Sequence, residues 1–84
     1  MIYVVIIARN AKKALDFLPN YIRSKVTKII LSLENQPRPT GCKKLIATSE
    51  YRIRVGDYRI VYEVLDNEQL VKIHAIKHRK EAYK

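Results

Sequence analysis

Tyr51-Arg52-Ile53-Arg54-Val55-Gly56-Asp57-Tyr58-Arg59-Ile60-Val61-Tyr62-Glu63-Val64 reads as two alternating strands joined by a Gly-Asp turn. A two-residue connection with glycine first suits a tight hairpin. With that loop, Val55 faces Tyr58, Arg54 faces Arg59, Ile53 faces Ile60 and Tyr51 faces Tyr62. Side chains alternate across a strand. One face of the hairpin is therefore Tyr51, Ile53, Val55, Tyr58, Ile60 and Tyr62, and the other carries Arg52, Arg54, Arg59, Val61 and Glu63. Like charges directly opposite one another destabilise a sheet, yet this register sets Arg54 against Arg59 with Arg52 beside them. A cluster that works against the fold points to a ligand that neutralises it, and phosphate is the obvious one.

After the hairpin, Leu65-Asp66-Asn67-Glu68 supplies a second turn and Gln69 to Lys77 a final long strand. Simple alternation places Val71, Ile73 and Ala75 on the apolar face and Lys72, His74 and Ile76 on the arginine face, with Glu63 near Lys72 as a neutralising pair. Before the hairpin, Lys43 to Ile46 suits a short edge strand. Glu34 to Gly41, with two prolines and a glycine, must be a loop. The helix ahead of it is plain, because Ile22, Val26, Ile29, Ile30 and Leu33 form one apolar stripe at helical spacing. Arg23, Ser24, Lys25, Thr27 and Lys28 cover its solvated side. A shorter helix, Ala11 to Leu18 with Asn10 as N-cap, precedes it and is interrupted by Pro19-Asn20. The chain opens with Ile2 to Ile7, whose β-branched residues at both parities suit a strand covered on both faces. The order β-α-α-β-β-β-β makes an α+β domain, residues 1–84, with two N-terminal helices packed on one face of a mainly antiparallel sheet.

Eighty-four residues make one small domain, which buries only about 60% of its unfolded surface. A hydrophobic share of 48% is ample for a core, which argues against disorder. Seventeen Lys and Arg against eight Asp and Glu give a net charge of +9, pointing to a polyanionic partner, nucleic acid or an acidic protein segment. Cys42 is the sole cysteine. No internal disulfide is possible, and the reducing cytoplasm is the natural setting; nothing in the sequence places a base beside this thiol, so a partly buried small side chain is its reading. The run Ile2–Ala8 is far too short to span a bilayer and lacks the pattern of a signal peptide. A soluble, intracellular protein with no membrane partner is expected.

The run YRIRVGDYRIVYEV, followed by a strand and the terminal HRKEAY, resembles the RelE family of bacterial toxins within the RelE/ParE superfamily. The first strand, the two helices, the Pro-containing loop and Lys43-Lys44-Leu45 agree, so the likeness covers essentially the whole chain. It implies a ribosome-dependent endonuclease that cuts mRNA in the decoding site, contacts 16S rRNA and is held inactive by a cognate antitoxin. Cutting RNA through its own 2′-hydroxyl requires removal of that proton, stabilisation of the charge developing on the phosphate, and a proton for the departing 5′ oxygen. Guanidinium groups match phosphate oxygens bidentately, which suits Arg52, Arg54 and Arg59 to the second task. Arg59 resembles the family arginine that lies against the scissile phosphate. Positions 52 and 54 are lysines in well-known relatives, where a lysine serves as base; arginine stays protonated, so here that role passes to another group or is dispensed with.

His78, with an unperturbed pKa near 6.5, suits acid–base work, and Arg79 would be a second phosphate stabiliser. Tyr83 matches the family's C-terminal tyrosine, able to stack on a base or act with a lowered pKa. Lys43, Lys44, Lys77 and Lys80 are candidate RNA contacts. His74 reads as a satisfied polar residue and Asp57 as a turn residue. No cofactor is implied. A metal nuclease is disfavoured, since His74 and His78 lie about 13 Å apart along a strand with no carboxylate cluster to help. Alternative functions are a gyrase-directed toxin of the ParE branch, a catalytically weak relative that only binds RNA or antitoxin, and a generic nucleic-acid-binding domain, which would not need paired arginines aligned on strands.

Overall fold

The hairpin forms in the expected register: Val55 pairs with Tyr58, Arg54 with Arg59, Ile53 with Ile60 and Tyr51 with Tyr62. The computed structural model describes residues 2–45 and 48–80, in the order β1 (Val4–Ile7), α1 (Arg9–Asp16), α2 (Asn20–Ser32), β2 (Lys43–Lys44), β3 (Glu50–Val55), β4 (Tyr58–Leu65) and β5 (Leu70–His78), with a 3₁₀ turn Asp66–Glu68 before the last strand. The described residues form a five-stranded sheet ordered β1-β5-β4-β3-β2. β1 runs parallel to β5 and the other neighbours are antiparallel. Gly56 takes φ +58° at the hairpin turn, and a Cβ there would meet Ile22 Cδ1 at 3.3 Å. The turn thus needs glycine both for its backbone and for the helix that lies against it.

Both helices lie on one face. Ala11, Leu15, Ile22, Val26, Ile30 and Leu33 meet Ile53, Val55, Ile60, Tyr62, Val71 and Ile73 in a single core. The predicted stripe of α2 is what becomes buried, with Ile29 packed at its margin. Pro19, extended at φ −55° and ψ 147°, precedes the first helical residue, where its fixed φ and missing N–H cost nothing. α1 starts earlier than expected. Ala8, not Asn10, is the extended residue before it. The Ala8 N–H still bonds Ile73 O across the sheet at 2.9 Å, so the chain passes straight from ladder to helix and Asn10 falls in the first turn.

Two expectations fail for structural reasons. β1 is an edge strand with only one covered face: Val4 and Ile6 remain 61% and 46% exposed, because no second layer lies over the side that the helices leave open. The alternation of β5 also breaks. Val61 pairs with Ala75 but Tyr62 with Ile73, leaving His74 as the extra residue of a β-bulge. Ala75 therefore moves to the arginine face, Ile76 turns into the core, Lys77 comes opposite Arg59, and His78 comes opposite Tyr58. β5 itself runs one residue later than expected, since Gln69 adopts φ 52° to close the preceding turn. β2 is shorter than read, and Ile46 lies outside the described residues.

The proline loop is tied down by polar contacts. Arg38 donates through Nη2 and Nη1 to Asp66 Oδ2 and Oδ1 at 2.7 and 3.1 Å, and through Nε to the Tyr51 hydroxyl at 2.9 Å. Tyr3 Oη also donates to Asp66 at 2.7 Å. Tyr62 donates to Pro37 O at 2.7 Å from within the core, its ring stacked 5.8 Å from that of Tyr51. Burial, then the nearby Cys42, pushes the Tyr62 phenol well above its usual range. The Arg38 guanidinium, then Tyr3, holds the Asp66 carboxyl below the usual carboxylate range. A depressed folded-state pKa gives stability that is present above the ordinary value near 3.9 and lost as pH falls through the folded one. Asp66→Asn should thus melt below the native chain at neutral pH, with the gap narrowing as pH falls below about 3.9. A gap constant with pH would show that the carboxylate contributes no charge-dependent stability.

Candidate functional site

On the open face the strands lay side chains out in cross-strand rows. Arg54, Arg59 and Lys77 stand side by side across β3, β4 and β5. The next row is Lys43, Arg52, Val61 and Ala75, and the one beyond it Glu50, Glu63 and Lys72. Cationic groups thus gather at the hairpin end, where three in a row on adjacent strands repel one another. Arg59, on a central strand, is only 8% exposed, while Arg54 is exposed and Arg52 half-buried.

Two adjoining cavities occupy this end. One, of about 140 Å³, is lined by Arg54, Gly56, Asp57, Tyr58, Arg59 and Arg79. The other, of about 220 Å³, is lined by Leu45, Arg52, Arg59, Val61 and Lys77. Arg59 borders both. Arg79 reaches the first because its N–H donates to Asp57 O at 2.7 Å, and its Nε stands 3.9 Å from Asp57 Oδ1. Asp57 is thus more than a turn residue: it anchors a cation at the cavity, and its signal in the sequence was no stronger than that of any turn aspartate. Preorganised guanidinium groups around one small cavity are suited to hold a phosphate and the extra charge of its transition state.

The opposite end of the face is acidic. His74 Nε2 lies 3.2 Å from Glu63 Oε1 and 3.8 Å from Glu50 Oε2, and Ser49 Oγ donates to Glu63 Oε2 at 2.8 Å. These contacts, Ser49 first, hold the Glu63 carboxyl below its usual range. Lys72 stands opposite Glu63 as expected, but Ser49 and His74 are its close partners. Glu50 was legible one step along the hairpin register; Ser49 was not. Among the described residues no group of His, Cys, Asp and Glu is placed to hold a metal ion.

Of the expected site residues, Arg52, Arg54, Arg59, Arg79, Lys77 and Lys43 come together. His78 does not. The bulge puts it on the helix-covered side, its ring edge-on to Tyr58 at 5.1 Å and its Nδ1 accepting the Lys80 N–H at 3.2 Å. Lys44, opposite Tyr51, belongs to that side as well, and Lys80 is exposed beyond β5. Tyr83 lies outside the described residues. No helix among the described residues is long and apolar enough to cross a membrane.

The family model described as ParE toxin of type II toxin-antitoxin system, parDE, matches residues 5–83. A curated Methanocaldococcus jannaschii protein named as the toxin RelE1 is 33% identical over 88 residues, covering 100% of this chain and 98% of that protein. A chain of the archaeal RelE–RelB complex from Pyrococcus horikoshii superposes with a TM-score of 0.85 at 34% identity, over 94% of this chain and 97% of that one. A chain of the Mycobacterium tuberculosis toxin–antitoxin complex RelBE2 gives 0.79 at 26% identity, over 94% and 100%. A two-helix, five-stranded fold with this register, matched along nearly its whole length, shows that the chain belongs to the RelE/ParE superfamily of type II toxin–antitoxin toxins, with RelE toxins among its relatives.

Proposed function

We propose that this toxin is a ribosome-dependent endoribonuclease that cuts mRNA by attack of a 2′-hydroxyl on the adjacent phosphate. The observation that carries the reading is the row Arg54–Arg59–Lys77 on the uncovered face, whose two arginines share one cavity with Arg79. The 2′ oxygen loses its proton to water and bonds to phosphorus, the bond from phosphorus to the 5′ oxygen breaks, that oxygen takes a proton from water, and a 2′,3′-cyclic phosphate remains. Arg59, Arg54 and Arg79 would bind the non-bridging oxygens and stabilise the charge gathered there. None of them can serve as base, and His78 is turned to the other side of the sheet. Alignment of the hydroxyl with the phosphate must then supply much of the acceleration, with Tyr83 assigned beside the scissile site by its resemblance alone. The requirement for a ribosome follows from that dependence on alignment imposed from outside.

Lys43, Lys44 and Lys80 would contact 16S rRNA through backbone charge. The partner in the cytoplasm would be a cognate antitoxin, as relatives occur in RelE–RelB complexes, with an acidic or amphipathic segment laid over the arginine face. The description of the matching family favours a second reading, inhibition of gyrase. Purified toxin in a translating extract, with mRNA ends mapped and gyrase supercoiling assayed in parallel, separates the two. Cuts ending in a 2′,3′-cyclic or 3′-phosphate are expected. A 3′-hydroxyl end would sink the mechanism, and loss of supercoiling without cuts would establish the gyrase reading.

A further inference from the structure

Resting on that RNA reading, we infer that the cavity lined by Leu45, Arg52, Arg59, Val61 and Lys77 seats one unpaired nucleobase, beside the cavity that takes the phosphate. A site for phosphate alone has no use for an apolar floor. Here Leu45 and Val61 lie among three cations, and that mixture matches a ring flanked by charged backbone. The row to which Val61 belongs continues into Ala75, so two short side chains lie between the long cationic row and the Glu50–Glu63 row. The result is a trough about 13 Å long from Arg59 to Glu63, with Val61 at its centre. Guanidinium planes stack on unpaired bases, and Arg52 and Arg59 both line this recess. Its volume of about 220 Å³ is below the roughly 300 Å³ at which drug-sized ligand sites begin. That is room for one ring system, with none for a duplex or a helical segment. Because Arg59 borders both cavities, base and phosphate would belong to the same stretch of chain, and the substrate must be single-stranded where it enters.

The test uses a fluorescent 2′-O-methyl oligoribonucleotide, which cannot be cut, beside the same ribose-phosphate chain without bases. The full-length toxin should bind the base-bearing chain about five- to tenfold more tightly, the lower end of what stacking on a protein surface provides. Leu45→Ser and Val61→Ser should each remove that preference while both chains keep the same steep salt dependence. Leu45 is half-buried at the end of an edge strand, so its variant is expected to fold even where the Val61 one is weakened. Equal binding of the two chains by the native toxin would overturn the base seat and leave the phosphate reading standing. A preference that survives both substitutions would place the base elsewhere. An acidic amphipathic peptide blocked by Leu45→Ser, with no base preference in RNA, would make the recess an antitoxin anchor instead. Failure of either chain to bind the free toxin at any salt would overturn the base seat, while the RNA reading stands or falls with mRNA cleavage in the translating extract.

Discussion

Arg59→Gln should lower single-turnover mRNA cleavage on the ribosome by about 10²–10³, the usual loss when a preorganised donor to a charged transition state is removed. Arg59 is singled out by position. It lies in the middle of the cationic row, is only 8% exposed and borders both cavities. Poor access to water makes each of its interactions stronger than those of an exposed neighbour. Arg59→Lys keeps the charge but loses the planar fork, and should recover only part of the rate. Arg54→Gln is the informative companion. It relieves like-charge repulsion at an exposed site, so a few tenths of a kcal/mol, or about 1–3 °C in melting temperature, should be gained, and the gain should vanish in high salt. The buried Arg59 is not expected to share that gain. Cleavage by Arg59→Gln at the native rate, in a protein that melts normally, would show that the reacting phosphate binds elsewhere.

The largest effect on stability from a single atom is expected for Tyr62→Phe. The ring is fully buried and its hydroxyl donates to Pro37 O at 2.7 Å within the core. Removing the oxygen leaves that carbonyl without this donor, which costs about 1–3 kcal/mol. For a domain this small each kcal/mol is worth about 4–8 °C. Tyr51→Phe provides the contrast, because its hydroxyl accepts only the exposed Arg38 Nε, and a change within about 0.5 kcal/mol is expected. Cleavage should be untouched by Tyr62→Phe, since Tyr62 lies on the side of the sheet away from the arginines. Equal melting temperatures for the two variants would mean that the proline loop is held by Arg38 and Asp66 alone.

Much of this is legible in the sequence. The hairpin register followed from a two-residue turn and strict alternation, and α2 from one unambiguous stripe. The cationic row across β3 and β4 was therefore visible residue by residue. Its extension to Lys77 was not, because a bulge depends on how two strands settle their twist against one another and leaves no mark in the alternation of β5. The same blind spot put Ile76 on the wrong face and His78 on the arginine side. β1 misled for a different reason: isoleucine and valine at both parities suit a buried central strand and an edge strand equally well. Arg79 was identifiable only through its family likeness. What places it at the cavity is a hydrogen bond to the backbone of Asp57, and backbone partners have no sequence signature.

The bulge at His74 also bears on how chains of this kind can be aligned. Residues before it keep Val71 and Ile73 in the core, and residues after it keep Lys77 opposite Arg59, in a pairing that needs one odd residue between the two halves. A relative lacking that residue could preserve both halves with a plain ladder. A one-position gap at this point would then leave the core and the cationic row in place and forfeit only the His74 contacts to Glu63 and Glu50, whereas the same gap two residues to either side would exchange core for surface. Insertions and deletions in this strand are therefore filtered by site, and His74 marks the place where its length is free to drift without disturbing the arginines.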